Sequence, residues 1–156
     1  MWQRPNSDGK TLTTSELLYK AESYCSKAEH CEQELRDKLY AWGADKQQTD
    51  EIIDDLIDNG FLSAERYCHA FVHDKILFQG WGREKVRAAL AAKRLPSSLV
   101  KETLDNFPED DYMSVLRRVE EQKNKTMREG DDELRREKML RYLLSRGFTY
   151  GDIAKI

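Results

Sequence analysis

A helical pattern that recurs three times is the feature that most constrains how this chain folds. The middle helix of each round carries a leucine at the equivalent place, at Leu39, Leu90 and Leu143, separated by 51 and 53 residues. Period-two alternation of apolar and polar residues, which is typical of a half-buried strand, never persists. A helical repeat of this length indicates an array in which each unit buries its apolar face against its neighbours. The sequence therefore predicts an all-α fold, an elongated tandem array of three three-helix modules.

Capping residues and glycines set the limits of the predicted helices. Thr13 and Glu16 have capping-box spacing at the start of the first helix, and Gly43 is expected to end the second helix. The apolar pattern places the third helix at about 49–59 and the fourth from residue 63 to about 79. We expect a disordered N-terminal segment followed by three modules, with the limits 1–14, 15–62, 63–107 and 108–156.

Composition argues for a water-soluble protein of the cell interior. Of the 156 residues, 39% are apolar and 35% are charged, and the formal net charge is −3. The longest apolar run, Ala88–Ala92, is far shorter than the roughly 20 residues that a membrane span needs. Three cysteines are too few for a disulfide framework, and the start of the chain lacks the apolar region of a secretory signal. We expect a cytoplasmic protein that makes no membrane contact.

Charge is unevenly distributed along the chain. Residues 15–62 hold 5 basic and 12 acidic side chains, residues 63–107 hold 8 and 5, and residues 108–156 hold 11 of each. The first module is thus strongly acidic and the second is basic. With this balance, we expect weak binding to free DNA and a protein as the chief partner.

A basic helical stripe is predicted in the second module. Arg83, Arg87 and Arg94 fall within about 40° on a helical wheel, on the solvent side of the core positions Val86 and Leu90. Such a stripe can bind phosphates because each neutralised phosphate releases counterions. It can equally be a solvated helix face, and the pattern leaves both interpretations open.

Two further groups are candidates for contact with a partner, namely Trp81 and the pair of Lys138 and Arg141. Trp81 lies between two glycines, so it either packs on the preceding helix or serves as an exposed anchor for a partner. In the third module, Lys138 and Arg141 are predicted opposite the apolar face that contains Leu143.

The residues offer little support for catalysis or metal binding. The chain contains no phosphate-binding G-x-x-x-x-G-K-[ST] loop and no G-x-S-x-G elbow. His69 and His73 have the i, i+4 spacing of helical metal ligands, but Cys25 and Cys68 lie on apolar stripes and lack the close pairing of zinc-binding cysteines. We expect no enzyme activity, no metal and no cofactor.

Three motifs in register resemble the modules of the RecX family. The first module contains Glu34-Leu35-Arg36-Asp37-Lys38-Leu39, and the third contains Lys138-Met139-x-x-Tyr142-Leu143-x-x-Arg146-Gly147-Phe148. The second contains Gly60-Phe61-Leu62-Ser63-x-x-Arg66-Tyr67 followed by Gly80-Trp81-Gly82-Arg83-x-Lys85-Val86. The chain departs from the family at Arg94, where the family has a glycine, and at Ala89, where it has an acidic residue.

The resemblance implies a non-catalytic regulator of the RecA recombinase that acts in DNA repair, recombination and the SOS response. Such a protein binds the RecA–single-stranded DNA filament and modulates it, usually by blocking extension or promoting disassembly. We expect a monomer whose partner is this filament, with single-stranded DNA as part of it. The alternative is a helical DNA-binding module that acts without RecA. The predicted contact residues are Arg66, Lys75, Trp81, Arg83, Lys85, Arg87, Lys93, Arg94, Lys138, Arg141 and Arg146.

Overall fold

A computed structural model describes residues 11–156, and over this range the chain is helical with no strand. Of the predicted disordered segment 1–14, residues 1–10 lie outside the described part, and a helix already begins at Thr14. The predicted all-α class is confirmed. The described residues form nine α-helices and one π-helical turn, which divide between two compact units, one ending at Tyr67 and the other beginning at Cys68.

Three complete helices of the first unit surround one apolar core. They are α1 (Thr14–Lys27), α2 (Glu32–Ala41) and α3 (Lys46–Asp58). The core includes Leu17, Leu35, Leu39, Ile52 and Leu56, all buried. The Arg36 guanidinium on α2 reaches Asp50 on α3 with an Nη1–Oδ1 distance of 2.8 Å. The ion pair therefore links these two helices at the edge of their shared core.

Local capping explains both the predicted and the unpredicted helix limits of this unit. The Thr13 hydroxyl accepts a hydrogen bond from the Glu16 amide, as the capping-box spacing predicts. α3 begins three residues earlier than predicted because the Asp45 carboxylate accepts the Gln48 amide at 2.8 Å. This box starts α3 with polar residues that carry no apolar period, so hydrophobic spacing could not locate its first turn.

The second module starts with α4 (Ala64–His73), and the limit between the compact units falls within this helix. The predicted continuous helix to residue 79 is interrupted by a π-helical turn at Asp74–Phe78. Within it, the Gln79 amide donates to the Asp74 carbonyl, five residues back, at 3.1 Å. Two further helices follow, α5 (Arg83–Ala92) and α6 (Ser97–Asp105).

The third module contains α7 (Glu109–Thr126), α8 (Asp132–Ser145) and the short α9 (Tyr150–Ile153). Leu90 and Leu143 are fully buried, as their places in the repeat predict. The α7 side of the core is formed by Tyr112, Leu116 and their buried neighbours. The predicted repeat register is therefore observed in both modules.

Two glycines allow the backbones of the second and third modules to touch. The Gly82 amide donates to the Arg146 carbonyl at 2.8 Å, and the Glu84 amide donates to the Gly147 carbonyl at 3.0 Å. A Cβ atom on Gly82 would lie 2.2 Å from the Gly147 carbonyl carbon. No side chain fits at this position, and the contact holds the start of α5 against the end of α8.

Candidate nucleic-acid interface

An aromatic–basic cluster lies where the π-helical turn leads into α5, and we define it as Lys75, Trp81 and Lys85. The ammonium groups of Lys75 and Lys85 lie 5.0 and 4.4 Å from the centroid of the Trp81 ring. The same ring meets Phe71 of α4 edge-on, with a centroid distance of 6.4 Å. Trp81 therefore packs on the preceding helix, yet it is only half-buried and is flanked by two cations.

Arg83 does not lie on a solvated stripe. Its guanidinium carbon lies 3.7 Å from the centroid of the Tyr112 ring, and its Nη2 lies 2.7 Å from a Glu109 carboxylate oxygen. Its backbone amide donates to the Tyr112 hydroxyl at 3.0 Å, and that hydroxyl donates to Asp152 at 3.1 Å. The prediction that Arg83 faces solvent is wrong, because this network uses it to join the second and third modules.

The pKa values in this network follow from its burial and charge. The hydrogen bond from Arg83 is the main reason that the pKa of Glu109 lies below its ordinary value. Burial raises the pKa of Tyr112 well above its ordinary value. Tyr112 therefore stays a neutral donor to Asp152 throughout the physiological pH range.

Arg94 is also absent from the predicted stripe. α5 ends at Ala92, and Arg94 has a φ of +63°, the left-handed conformation that favours glycine. The resemblance noted in the sequence predicts a glycine here, and the helical wheel does not apply to Arg94 because α5 has already ended. Arg83 and Arg87 both lie on α5, but only Arg87 remains substantially exposed to solvent. Arg87 forms an ion pair with Glu84.

Four other predicted contact residues, Lys93, Arg94, Lys138 and Arg141, differ in their exposure to solvent. Lys93 is half-buried, whereas Arg94 and Arg141 are exposed, and none of the three forms an ion pair within residues 11–156. Lys138 is exposed and pairs with Glu129. The predicted opposition of Lys138 and Arg141 to the buried Leu143 agrees with these exposures.

Arg66 and Arg146 are predicted contact residues, but both form hydrogen bonds within the chain. In the first unit, Arg66 donates to Glu29 at 2.8 Å and to the Gly60 carbonyl at 2.7 Å. In the second unit, Arg146 donates from Nη2 to the Gln79 carbonyl. Each arginine thus stabilises the chain just after a helix, where carbonyl groups lack helical partners.

Two candidate binding residues escape the sequence analysis, Phe78 and Arg118. Phe78 ends the π-helical turn and is 79% exposed. Arg118 on α7 donates to the Leu77 carbonyl at 2.7 Å. The charge pattern and the residue spacing do not predict these two residues as a pair. The π-helical turn exposes Phe78, and this turn does not change the spacing of apolar residues in the sequence.

The thiols and imidazoles in the described part of the chain show no arrangement typical of a metal centre. Within residues 11–156, no group of three or more His, Cys, Asp or Glu side chains is arranged to hold a metal ion. The His69 and His73 rings lie 4.2 Å apart, and burial followed by the charge of His69 lowers the pKa of His73. Burial raises the pKa of the Cys25 thiol to about 11, so this thiol is protonated and unreactive near neutral pH.

No helix in the described part of the chain is long and apolar enough to cross a membrane.

Comparison with known proteins assigns each module. Three family models match in order: the first three-helix domain of RecX at residues 19–56, the second at 65–104 and the third at 109–156. The match to the second domain covers the aromatic–basic cluster. The three matches therefore reproduce the repeat that the leucine register predicts.

Relatives and solved structures agree with these matches. The regulatory protein RecX of Actinobacillus pleuropneumoniae serotype 5b is 32% identical over 127 residues, which cover 81% of this chain and 80% of the relative. The regulatory protein RecX of Clostridium perfringens SM101 is 29% identical over 141 residues, 89% of this chain and 61% of the relative. The crystal structure of RecX from Lactobacillus salivarius shares the fold, with a TM-score of 0.80 and 20% identity over 91% of this chain and 92% of that one.

The chain spans about three-fifths of the length of its clostridial relatives. It nevertheless contains all three matched domains, in family order, and its identity to the Actinobacillus protein extends over most of both chains. On this evidence, the chain belongs to the RecX family.

Proposed function

We propose that this protein binds the RecA–single-stranded DNA filament and inhibits recombinase activity without catalysing a reaction itself. The observation that carries the proposal is the ordered match to all three RecX domains. In this proposal, the protein acts as a cytoplasmic monomer and needs no cofactor. Its chief partner is the filament, and single-stranded DNA contributes locally.

Charge supports a filament rather than free DNA as the main target. The chain has a formal net charge of −3, so its overall field repels a bare phosphate backbone. A filament offers protein surface as well as phosphates, so contacts with RecA can supply affinity that the electrostatic attraction to DNA does not. The cations around Trp81 can then neutralise phosphates at one place on an otherwise acidic protein.

The experiment compares binding to three targets: RecA filaments on a labelled single-stranded oligonucleotide, the same oligonucleotide without RecA, and RecA without DNA. We expect the tightest binding to the filament. Equal affinity for the oligonucleotide with and without RecA would instead support the alternative, a DNA-binding module that acts without RecA. Absence of binding to the filament would contradict the proposal.

A charge-reversal variant tests the aromatic–basic cluster in the same assay. Lys75→Glu with Lys85→Glu should weaken filament binding and make it less sensitive to added salt, because fewer counterions are displaced. The control is Lys46→Glu on α3 in the acidic first module, whose side chain is 82% exposed. The double variant changes the net charge by −4 and the control by −2. If the double variant loses only about twice the binding free energy that the control loses, the effect reflects net charge and the cluster is not an interface.

A further inference from the structure

A cavity of about 320 Å³ opens beside the end of the π-helical turn, between this turn and helices α7 and α8. The cavity is lined by residues of the turn region, of α7 and of the C-terminal part of α8. They include Leu77, Phe78, Gly80, Arg118, Tyr142 and Arg146, the last of which directly follows α8. None of the residues described around it is acidic. The cavity therefore has a positive wall with no countercharge in its lining.

Gly80 brings the two arginines of this wall together. A Cβ atom at Gly80 would lie 3.2 Å from Nη2 of Arg146 and 4.0 Å from Nη2 of Arg118. Each of these nitrogens donates to a carbonyl at the end of the turn, Arg118 to Leu77 and Arg146 to Gln79. These carbonyl bonds fix both guanidinium groups in place next to the cavity.

The two arginines retain unused hydrogen-bond capacity. A guanidinium carries five N–H donors, and the carbonyl bonds use only part of this number. The Nε atom of Arg146 is fully buried and has no hydrogen-bond partner among the described residues. A buried donor without an acceptor is costly, and an anionic oxygen in the cavity would complement the charge of both side chains.

Phe78 supplies an aromatic face at the rim of the same cavity. Its side chain is 79% exposed, and its ring contacts no other aromatic ring in the described part of the chain. Only a few residues further along the chain, Trp81 lies between Lys75 and Lys85. Aromatic rings alternating with cations are typical of surfaces that bind single-stranded nucleic acid, because bases stack on the rings while cations follow the phosphates.

We propose that the cavity and Phe78 form a nucleotide subsite for single-stranded DNA, an inference that rests on the proposed function. A backbone phosphate accepts hydrogen bonds from Arg118 and Arg146, and the neighbouring base stacks on Phe78. Duplex DNA does not fit this description, since its bases are already stacked and paired. The alternation of rings and cations favours DNA over an acidic protein segment, which would need the arginines but not a series of aromatic faces.

The test uses the whole chain of 156 residues and two fluorescein-labelled probes of about 16 nucleotides. One probe is oligothymidylate, and the other has the same backbone with abasic residues. Fluorescence anisotropy at low salt gives both affinities. Stacking of one base on an aromatic side chain is worth about 1–3 kcal/mol, so the wild-type protein should prefer the oligothymidylate by about fivefold or more.

Phe78→Leu should remove most of this preference and leave binding to the abasic probe unchanged. The matched control is Tyr150→Leu on α9, whose side chain is 68% exposed in the same compact unit. Arg118→Gln should weaken binding to both probes and lower the dependence of log affinity on log salt concentration by about 0.7. Circular dichroism spectra of all variants should match the wild-type spectrum. Such a match shows that weaker binding results from a lost contact with the probe and not from unfolding.

Three results would overturn the subsite: wild-type protein that binds neither probe, equal wild-type affinity for both probes, or an equal preference in Phe78→Leu and Tyr150→Leu. A Phe78→Leu variant that loses binding to RecA without DNA, while its probe preference is unchanged, would assign the surface to a protein partner and also overturn it. Because the two oligonucleotide assays contain no RecA, a failure in them would not decide whether the protein inhibits the filament.

Discussion

At the scale of single residues, one buried hydroxyl joins the second and third modules. The Tyr112 side chain is fully buried, and its hydroxyl accepts from the Arg83 amide and donates to Asp152. Asp152 also accepts from the Thr149 amide at 3.1 Å. The hydroxyl therefore satisfies polar groups on α5 and α9 that are otherwise shielded from water.

Tyr112→Phe should lower the free energy of unfolding by about 1–3 kcal/mol. The substitution keeps the ring, so its direct effect is to leave the Arg83 amide without this acceptor and Asp152 without this donor. Urea unfolding followed by circular dichroism measures the change. Tyr150→Phe, at an exposed position, should stay within about 0.5 kcal/mol of wild type. Equal stability of the two variants would show that the network contributes nothing.

At the scale of secondary-structure elements, the end of α5 stores a local strain. Arg94 adopts a positive φ of 63° immediately after this helix, and the preceding Lys93 has an ordinary φ of −89°. L-residues pay an energetic penalty in the left-handed region because their Cβ atom approaches the following carbonyl oxygen, whereas glycine has no Cβ. The positive φ of Arg94 therefore has a predictable cost in stability.

Arg94→Gly should stabilise the protein by about 0.5–1 kcal/mol, since relief of the backbone strain exceeds the added flexibility of the unfolded chain. Lys93→Gly should have the opposite effect, because it adds flexibility without relieving any strain. Thermal unfolding of both variants gives the comparison. Destabilisation by Arg94→Gly would mean that the arginine side chain makes a contribution that outweighs the strain.

The repeat register makes a second prediction at this scale. Leu90→Ala and Leu143→Ala should each destabilise the protein by about 2–5 kcal/mol through lost burial and a residual cavity. Leu134→Ala on α8 is the control, since that side chain is 44% exposed. Urea unfolding measures all three variants. If either core variant is as stable as the control, its leucine does not occupy the core position that the repeat assigns.

The elements also show which features can be predicted from sequence. Leu39, Leu90 and Leu143 could be placed because core residues of helices recur with a fixed period, and Thr13 and Gly43 because their effects are local. The π-helical turn escaped prediction, since it changes the backbone without changing residue type. The position of Arg83 escaped it for another reason: its partners Glu109 and Asp152 lie 26 and 69 positions away in sequence, on elements that only tertiary packing brings near.

At the scale of the whole molecule, the proposed site was only partly predictable. Sequence selected Trp81 and its neighbouring lysines because rings and cations are visible in the composition of one short segment. It could not separate cations that face solvent from those used internally, as Arg66 and Arg146 are. Phe78 and Arg118 join the candidate surface only because the π-helical turn and α7 meet.

The proposed inhibition of the RecA–single-stranded DNA filament is tested by the single-stranded DNA-dependent ATPase rate of RecA during titration with this protein. We expect the rate to fall progressively at protein concentrations below that of RecA, because a regulator that blocks extension or promotes disassembly need not cover every RecA subunit. The Lys75→Glu/Lys85→Glu variant should require a higher concentration for the same effect than the Lys46→Glu control. An ATPase rate that is unchanged or increased at every concentration of correctly folded protein would contradict the account.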